Sequence, residues 1–283
     1  MRIVLMLLLG LGVLPQRAPL EKVQWYKNLD EALEVAKARN VIVFLSFQRD
    51  GDKKGKLQLR GTFSNHLFVK RAKEQFVCVI AHRGAVQGEE HQPDQVVDPR
   101  SGATVYKCPL YEGITCEHHR TIYRQIKAKY KFKEPPATFL LDPAGEVLVG
   151  PKGFPPAAIH AFKKIDEAQK KLEGKSISAS RYRKILKSFN KADGQFADEK
   201  YMYAISAYRR LEKNRSFTPV LKAQATEALK EINGIGMQLI EKGMKVREED
   251  AEGGLKLLKK VRYEFKGLEA GDKAKKIIDE IKG

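Results

Sequence analysis

Several features that would define a function are missing from this chain. Beyond one apolar stretch at its start, no hydrophobic run is long enough to span a bilayer, which excludes a polytopic membrane protein. No RNA-recognition motif, zinc-finger spacing or helix-turn-helix pattern is present, so no specific nucleic-acid reader is expected. Acidic residues are outnumbered 35 to 53 by Lys and Arg, giving a net charge of +18 over 283 residues. The lysines are spread along the whole length among Glu and Asp, which describes a solvated basic surface. An acidic polymer or anionic surface remains open as a partner. Cysteine is scarce, with three in all, Cys78, Cys108 and Cys116, and none of them forms a Cys-x-x-Cys pair. No cofactor is expected.

The composition that is present, 42% hydrophobic and 31% charged, is that of a soluble globular protein. Met1-Arg2 precedes the apolar run Ile3 to Leu14, which has the charge and length of an export signal or an N-terminal anchor (residues 1–19). Gln16-Arg17-Ala18 is not a clean small-x-small cleavage site, and no Cys follows the run to carry a lipid. The expected location is therefore exported, periplasmic or extracellular, where disulfides can form.

Leu29, Ala32, Leu33 and Ala36 fall at helical spacing, with Asn28 or Asp30 available as a cap. Val41 to Phe47 is a β-branched and aromatic run that reads as a strand buried on both faces. A charged, glycine-rich loop follows, then a helix from Leu67 and a second buried strand from Phe76 to Ala81. Residues 84–133 are irregular and read as an insertion, with a helix expected over Glu117 to Lys129. Glu134-Pro135-Pro136 leads into a third strand, Asp142 to Glu146 carries hairpin-turn chemistry, and a helix is expected from about Pro155 to Leu172. From Ser176 the pattern is helical. Its last pair, Glu252 to Glu264 and Ala270 to Ile281, forms an antiparallel hairpin of tetratricopeptide-like size.

The segments Trp25 to Phe47, Thr62-Phe63-Ser64-Asn65 with Phe76-Val77-Cys78-Val79, and Pro136 to Val147 resemble, in this order, exported bacterial proteins of the thioredoxin-like family. The resemblance covers about 24–172. It implies an α/β thioredoxin-like domain over 20–172, a central mixed sheet flanked by helices, followed by an all-α, helical-hairpin region over 176–283. It also assigns Pro136 to the family's cis-proline. The family's redox pair would fall at Asp52, Lys53, Lys54 and Gly55, and neither cysteine is there. Thiol exchange needs an attacking thiolate and a resolving thiol, so thioredoxin-type exchange at these positions is excluded.

Cys108 and Cys116 form the unusual cluster. A disulfide between them would close a short loop and add roughly 2–3 kcal/mol. Alternatively, Cys108 and Cys116 with His118 or His119 bind a soft metal, or the pair is a relocated redox centre. Cys78 reads as a buried, inert thiol. The functions that follow are a non-catalytic module that binds proteins or peptides in the cell envelope, an oxidoreductase working through Cys108 and Cys116, and a metal-binding protein using the same cluster.

Overall fold

A computed structural model describes residues 22–84, 90–98, 101–152 and 158–282. The N-terminal segment expected to serve as signal or anchor lies outside the described residues. Helix α1 (Leu29–Arg39) begins where the Asn28 side chain accepts the Glu31 amide at 2.7 Å, and it ends at Asn40 in the left-handed region. Strand β1 (Val43–Arg49) follows, buried at six of its seven positions. Asp52 caps α2 (Lys53–Gln58), which runs on through a π-helical turn over Leu59–Phe63. Asn65 caps α3 (His66–Gln75), which delivers the chain to β2 (Val77–Arg83).

Next come β3 (Asp94–Val97) and β4 (Thr104–Lys107), paired as an antiparallel hairpin, and then α4 (Cys116–Ile126). Strands β5 (Ala137–Leu141) and β6 (Val147–Lys152) follow, then α5 (Ala158–Lys170). The main sheet has the order β2-β1-β5-β6. Strand β2 is parallel to β1, while β5 and β6 are antiparallel to their neighbours, so the sheet is mixed. Leu45 at the centre of β1 stands between Val79 and Phe139.

Both faces of β1 are buried because its alternating side chains enter two different clusters. Phe44 packs edge-on to Phe68 with ring centroids 5.3 Å apart, and it shares its cluster with Phe63 and Phe76. Phe47 points the other way, 5.7 Å from Phe139, among residues of α1 and α4. The stretch 84–133, expected as an insertion, divides in two. Ile122, Tyr123 and Ile126 of α4 belong to the same cluster as Phe47 and Val79, so α4 is the helix that covers the sheet between β2 and β5. Among the described residues, the β3–β4 hairpin and the loop leading to Cys116 stand outside that layer. The reason is visible in α4, whose buried residues are separated by Arg120, Thr121, Arg124 and Gln125 and give a narrow buried stripe.

The region after 176 is helical: α6 (Ala179–Ala197), α7 (Tyr201–Glu212), α8 (Pro219–Glu249), α9 (Ala251–Glu264) and α10 (Glu269–Lys282). Helix α8 is 31 residues long, capped by Thr218 with Pro219 in its first turn, and it packs against both α7 and α9. The Thr218 hydroxyl also donates to the Ala38 carbonyl at 2.8 Å, and Arg39 Nε donates to Ile177 O at 3.1 Å. These contacts hold the helical region to α1. Gly236 lies under Phe265 and Ala270, where an added Cβ would fall 2.6 Å from the Ala270 methyl. Among the described residues, no helix is long and apolar enough to cross a membrane.

Candidate metal centre

Four side chains from three segments converge beside the C-terminal ends of the parallel strands β1 and β2. They are His91, Cys108, Cys116 and His119, and their ligand atoms all lie within 4.8 Å of one another. His91 Nε2 is 3.2 Å from His119 Nε2, and Cys108 Sγ is 3.5 Å and 3.6 Å from these two nitrogens. Zinc bonds of about 2.0–2.1 Å to nitrogen and about 2.3 Å to sulfur set tetrahedral edges of about 3.3 Å between nitrogens and about 3.6 Å between nitrogen and sulfur. The observed separations match those edges.

The hydrogen bonds at the backs of the rings fix which nitrogen faces inward. His119 Nδ1 lies 3.2 Å from the His82 carbonyl, which can only accept, so Nδ1 carries the proton and Nε2 presents a lone pair. His91 Nδ1 lies 2.7 Å from Asp50 Oδ1 and donates to that carboxylate, so in the neutral ring it is Nε2 that faces inward as the acceptor. Without a metal the Cys108 S–H can donate to one of these nitrogens, and a cation in place of that proton would satisfy the sulfur and both imidazoles at once. An imidazole held from behind by a carboxylate or a carbonyl is the arrangement that orients histidine ligands on metals.

Asp50 follows directly after β1, and the parallel register that pairs Gln48 with His82 brings it beside β2. Its carboxylate accepts from His82 Nε2 at 3.0 Å and from the His91 amide at 3.3 Å. Burial pushes its pKa up, but the hydrogen bonds and charges of His82 and His91 outweigh burial and hold it well below the usual carboxylate range. His82 is completed by the Tyr111 hydroxyl, 2.7 Å from its Nδ1, which forms a chain from Tyr111 through His82 to Asp50. Tyr111, His82 and His119 are all buried. Burial, with His82, His91 and Arg120 nearby, lowers the His119 pKa to about 3, so this imidazole is neutral at physiological pH, as a ligand must be.

Burial raises the Cys108 thiol to about 12, while the backbone N–H groups of Leu110 and Tyr111 point at its sulfur and pull the other way. Without a cation this is an inert thiol. A bound metal would reverse the balance, because coordination deprotonates a thiol outright. Both Cys108 and Cys116 are free cysteines in the structure, which does not contain the disulfide expected between them.

His118, proposed from sequence as an alternative ligand, takes another role. Its Nδ1 accepts the Thr115 amide at 3.1 Å while Thr115 Oγ1 accepts the His118 amide, a reciprocal cap on α4. That cap places Cys116 and His119 on the first turn of α4, both facing inward. Asp52, Lys53, Lys54 and Gly55, the positions that the resemblance assigned to a redox pair, form the cap and first turn of α2. Asp52 Oδ1 accepts the Gly55 amide at 2.7 Å, and a Cβ at Gly55 would lie 2.7 Å from Gln48 Oε1. The Pro135–Pro136 peptide is cis. Pro136 borders a separate cavity with Phe132, Ala137 and Pro151 that no cysteine lines. Cys78 is buried in β2, and burial raises its pKa.

Sequence reasoning missed His91, Asp50, His82 and Tyr111. One signal was available, since Asp50 and His82 close two apolar runs that read as neighbouring strands.

No protein-family model matches the chain, and no curated protein matches it. Among solved structures, a protein described as "DsbH Oxidoreductase" is 22% identical, with a TM-score of 0.39 over 56% of this chain and 93% of its own.

Proposed function

We propose that this chain is a thioredoxin-like protein in which a metal centre has replaced the redox centre, and that it acts as a metal-stabilised, non-catalytic binding module. One observation carries the reading: His91, Cys108 and His119 present ligand atoms at tetrahedral separations, Cys116 Sγ lies within 4.8 Å of all three, and both imidazoles are held from behind by Asp50 and the His82 carbonyl. Two thiolates and two imidazoles favour zinc among the abundant divalent ions. Four protein ligands leave no open position, which is the pattern of a structural site. The sheet order β2-β1-β5-β6, with a cis-proline leading into β5, supports the thioredoxin-like part of the reading.

The centre ties the β3–β4 hairpin and the loop before α4 to the ends of β1 and β2. Export, proposed from the run Ile3 to Leu14, would expose these thiols to oxidants, and coordination would keep them from bridging. The helical region supplies the surface for protein or peptide partners. Metal analysis of the full chain purified anaerobically tests the core of this proposal. About one zinc per chain, absent from Cys108→Ser, supports it, and metal-free protein with a Cys108–Cys116 bridge overturns it. The oxidoreductase reading is less well supported, because burial raises the Cys108 thiol to about 12 whereas exchange requires a lowered thiol pKa.

A further inference from the structure

We propose that the cavity between the β3–β4 hairpin and α4 is a binding site for a small organic oxyanion, a carboxylate, sulfonate or phosphate carried on an apolar body. The cavity holds about 870 Å³, within the size range of small-molecule sites. Three guanidinium groups line it: Arg83 from the end of β2, and Arg120 and Arg124 one turn apart on α4. Among the described residues, Glu117 is the one acid in the lining.

The arginines are poorly satisfied by the protein itself. Arg83 Nε and Arg120 Nε are both buried without a hydrogen-bond partner. Arg83 makes no ion pair among the described residues, and its guanidinium stands 5.9 Å from the Tyr123 ring centroid. Arg120 uses Nη2 for the His91 carbonyl and for Glu90 at the rim, both at 3.2 Å. Arg124 makes a 3.2 Å bond to Thr121 within its own helix. A buried guanidinium N–H with no acceptor is costly. An oxyanion supplies the missing acceptors and the opposite charge, in the planar geometry that arginine matches best. Between the arginines the walls are Tyr123, Val105 and Tyr106, and Tyr106 is half exposed. They would cover an apolar or aromatic body rather than a bare, hydrated ion.

This site lies outside the four metal ligands' inward face, although Cys116 borders it, and it does not depend on the metal reading. The test uses the full chain and 8-anilinonaphthalene-1-sulfonate as the fluorescent probe, with benzoate and inorganic phosphate as competitors. Saturable one-to-one binding is expected, displaced by benzoate at far lower concentration than by phosphate. The double variant Arg83→Gln/Arg124→Gln, which leaves every metal ligand and its supporting group in place, is expected to bind the probe at least tenfold more weakly. Lys256→Gln/Lys259→Gln removes the same charge from the helical region and should bind like the parent. Circular dichroism and metal content on the same samples establish that the variants are folded. Equal loss in both double variants, or none in the arginine pair, overturns the site. Displacement by phosphate as readily as by benzoate overturns the apolar body of the ligand.

Discussion

Replacing Asp50 by Asn tests the logic of the centre without touching a ligand. Asp50 Oδ1 now accepts from His91 Nδ1 at 2.7 Å and from His82 Nε2 at 3.0 Å, and Oδ2 accepts the His91 amide at 3.3 Å. Asparagine keeps the shape but offers one acceptor oxygen and an NH2. If its oxygen serves the two rings, its NH2 faces the His91 amide, donor against donor. The negative charge that makes His91 a better base is lost in either rotamer. Removing such an outer partner typically weakens metal binding by about 10–100-fold, or about 1.4–2.7 kcal/mol at about 1.36 kcal/mol per factor of ten. A competition titration of zinc between the protein and a chromophoric chelator reads this directly, with cobalt spectra reporting whether the site stays tetrahedral. Affinity within about twofold of the parent would refute the claim that Asp50 orients and charges a metal ligand.

Further predictions follow from the same contacts. His118→Ala should leave the metal stoichiometry unchanged and cost about 0.5–2 kcal/mol in urea unfolding, because His118 caps α4 and ligates nothing. Chelation should destabilise the protein at equilibrium, with the gap growing as RT ln(1 + [metal]/Kd), about 4 kcal/mol at a thousandfold excess over Kd. The metal-free protein should lose stability as pH falls from about 6.5. His119 has a folded pKa of about 3, so below its ordinary value of 6.5 the unfolded chain binds a proton that the native state does not. Each excess proton costs about 1.4 kcal/mol per pH unit. Asp50, held low, adds its own loss below about pH 4; a flat stability profile from pH 7 to 4 would contradict the His119 assignment, and no steepening below pH 4 would contradict that of Asp50. Gly236→Ala should lower the urea midpoint of the helical region by about 1–3 kcal/mol equivalent and leave metal affinity alone, since its new methyl would meet Ala270 and Phe265.

The scaffold was largely legible in the sequence because its signals are local. The run Val41 to Phe47 reads as a strand buried on both faces, Asp142 to Glu146 carries turn chemistry, and of the two caps open to α1, Asn28 and Asp30, Asn28 is the one used. The centre was half legible. Cys108 and Cys116 with His118 or His119 stood out as a cluster, but the spacing of the two cysteines matches no common zinc module, and His91 lies 17 residues before Cys108. What makes these residues a site is the parallel pairing of β1 with β2, which carries Asp50 and His82 behind the ligands. That pairing is a tertiary fact that periodicity does not encode. His118 and His119 show the limit at its sharpest. They are adjacent and chemically alike, and only the reciprocal cap with Thr115 turns one back to the helix start and the other inward. Helix α4 was expected over Glu117 to Lys129, but its place in the core layer was not, because its core stripe of Ile122, Tyr123 and Ile126 is diluted by the arginines that line the neighbouring cavity.

The central claim is that His91, Cys108, Cys116 and His119 hold one metal ion. Titrating cobalt into the metal-free full chain under anaerobic conditions tests it most directly. The account predicts saturation at one equivalent, with intense visible bands of a tetrahedral ion and thiolate charge-transfer absorption, lost in Cys108→Ser and Cys116→Ser. Weak octahedral absorption, no saturation, or the same spectrum in the serine variants would contradict it.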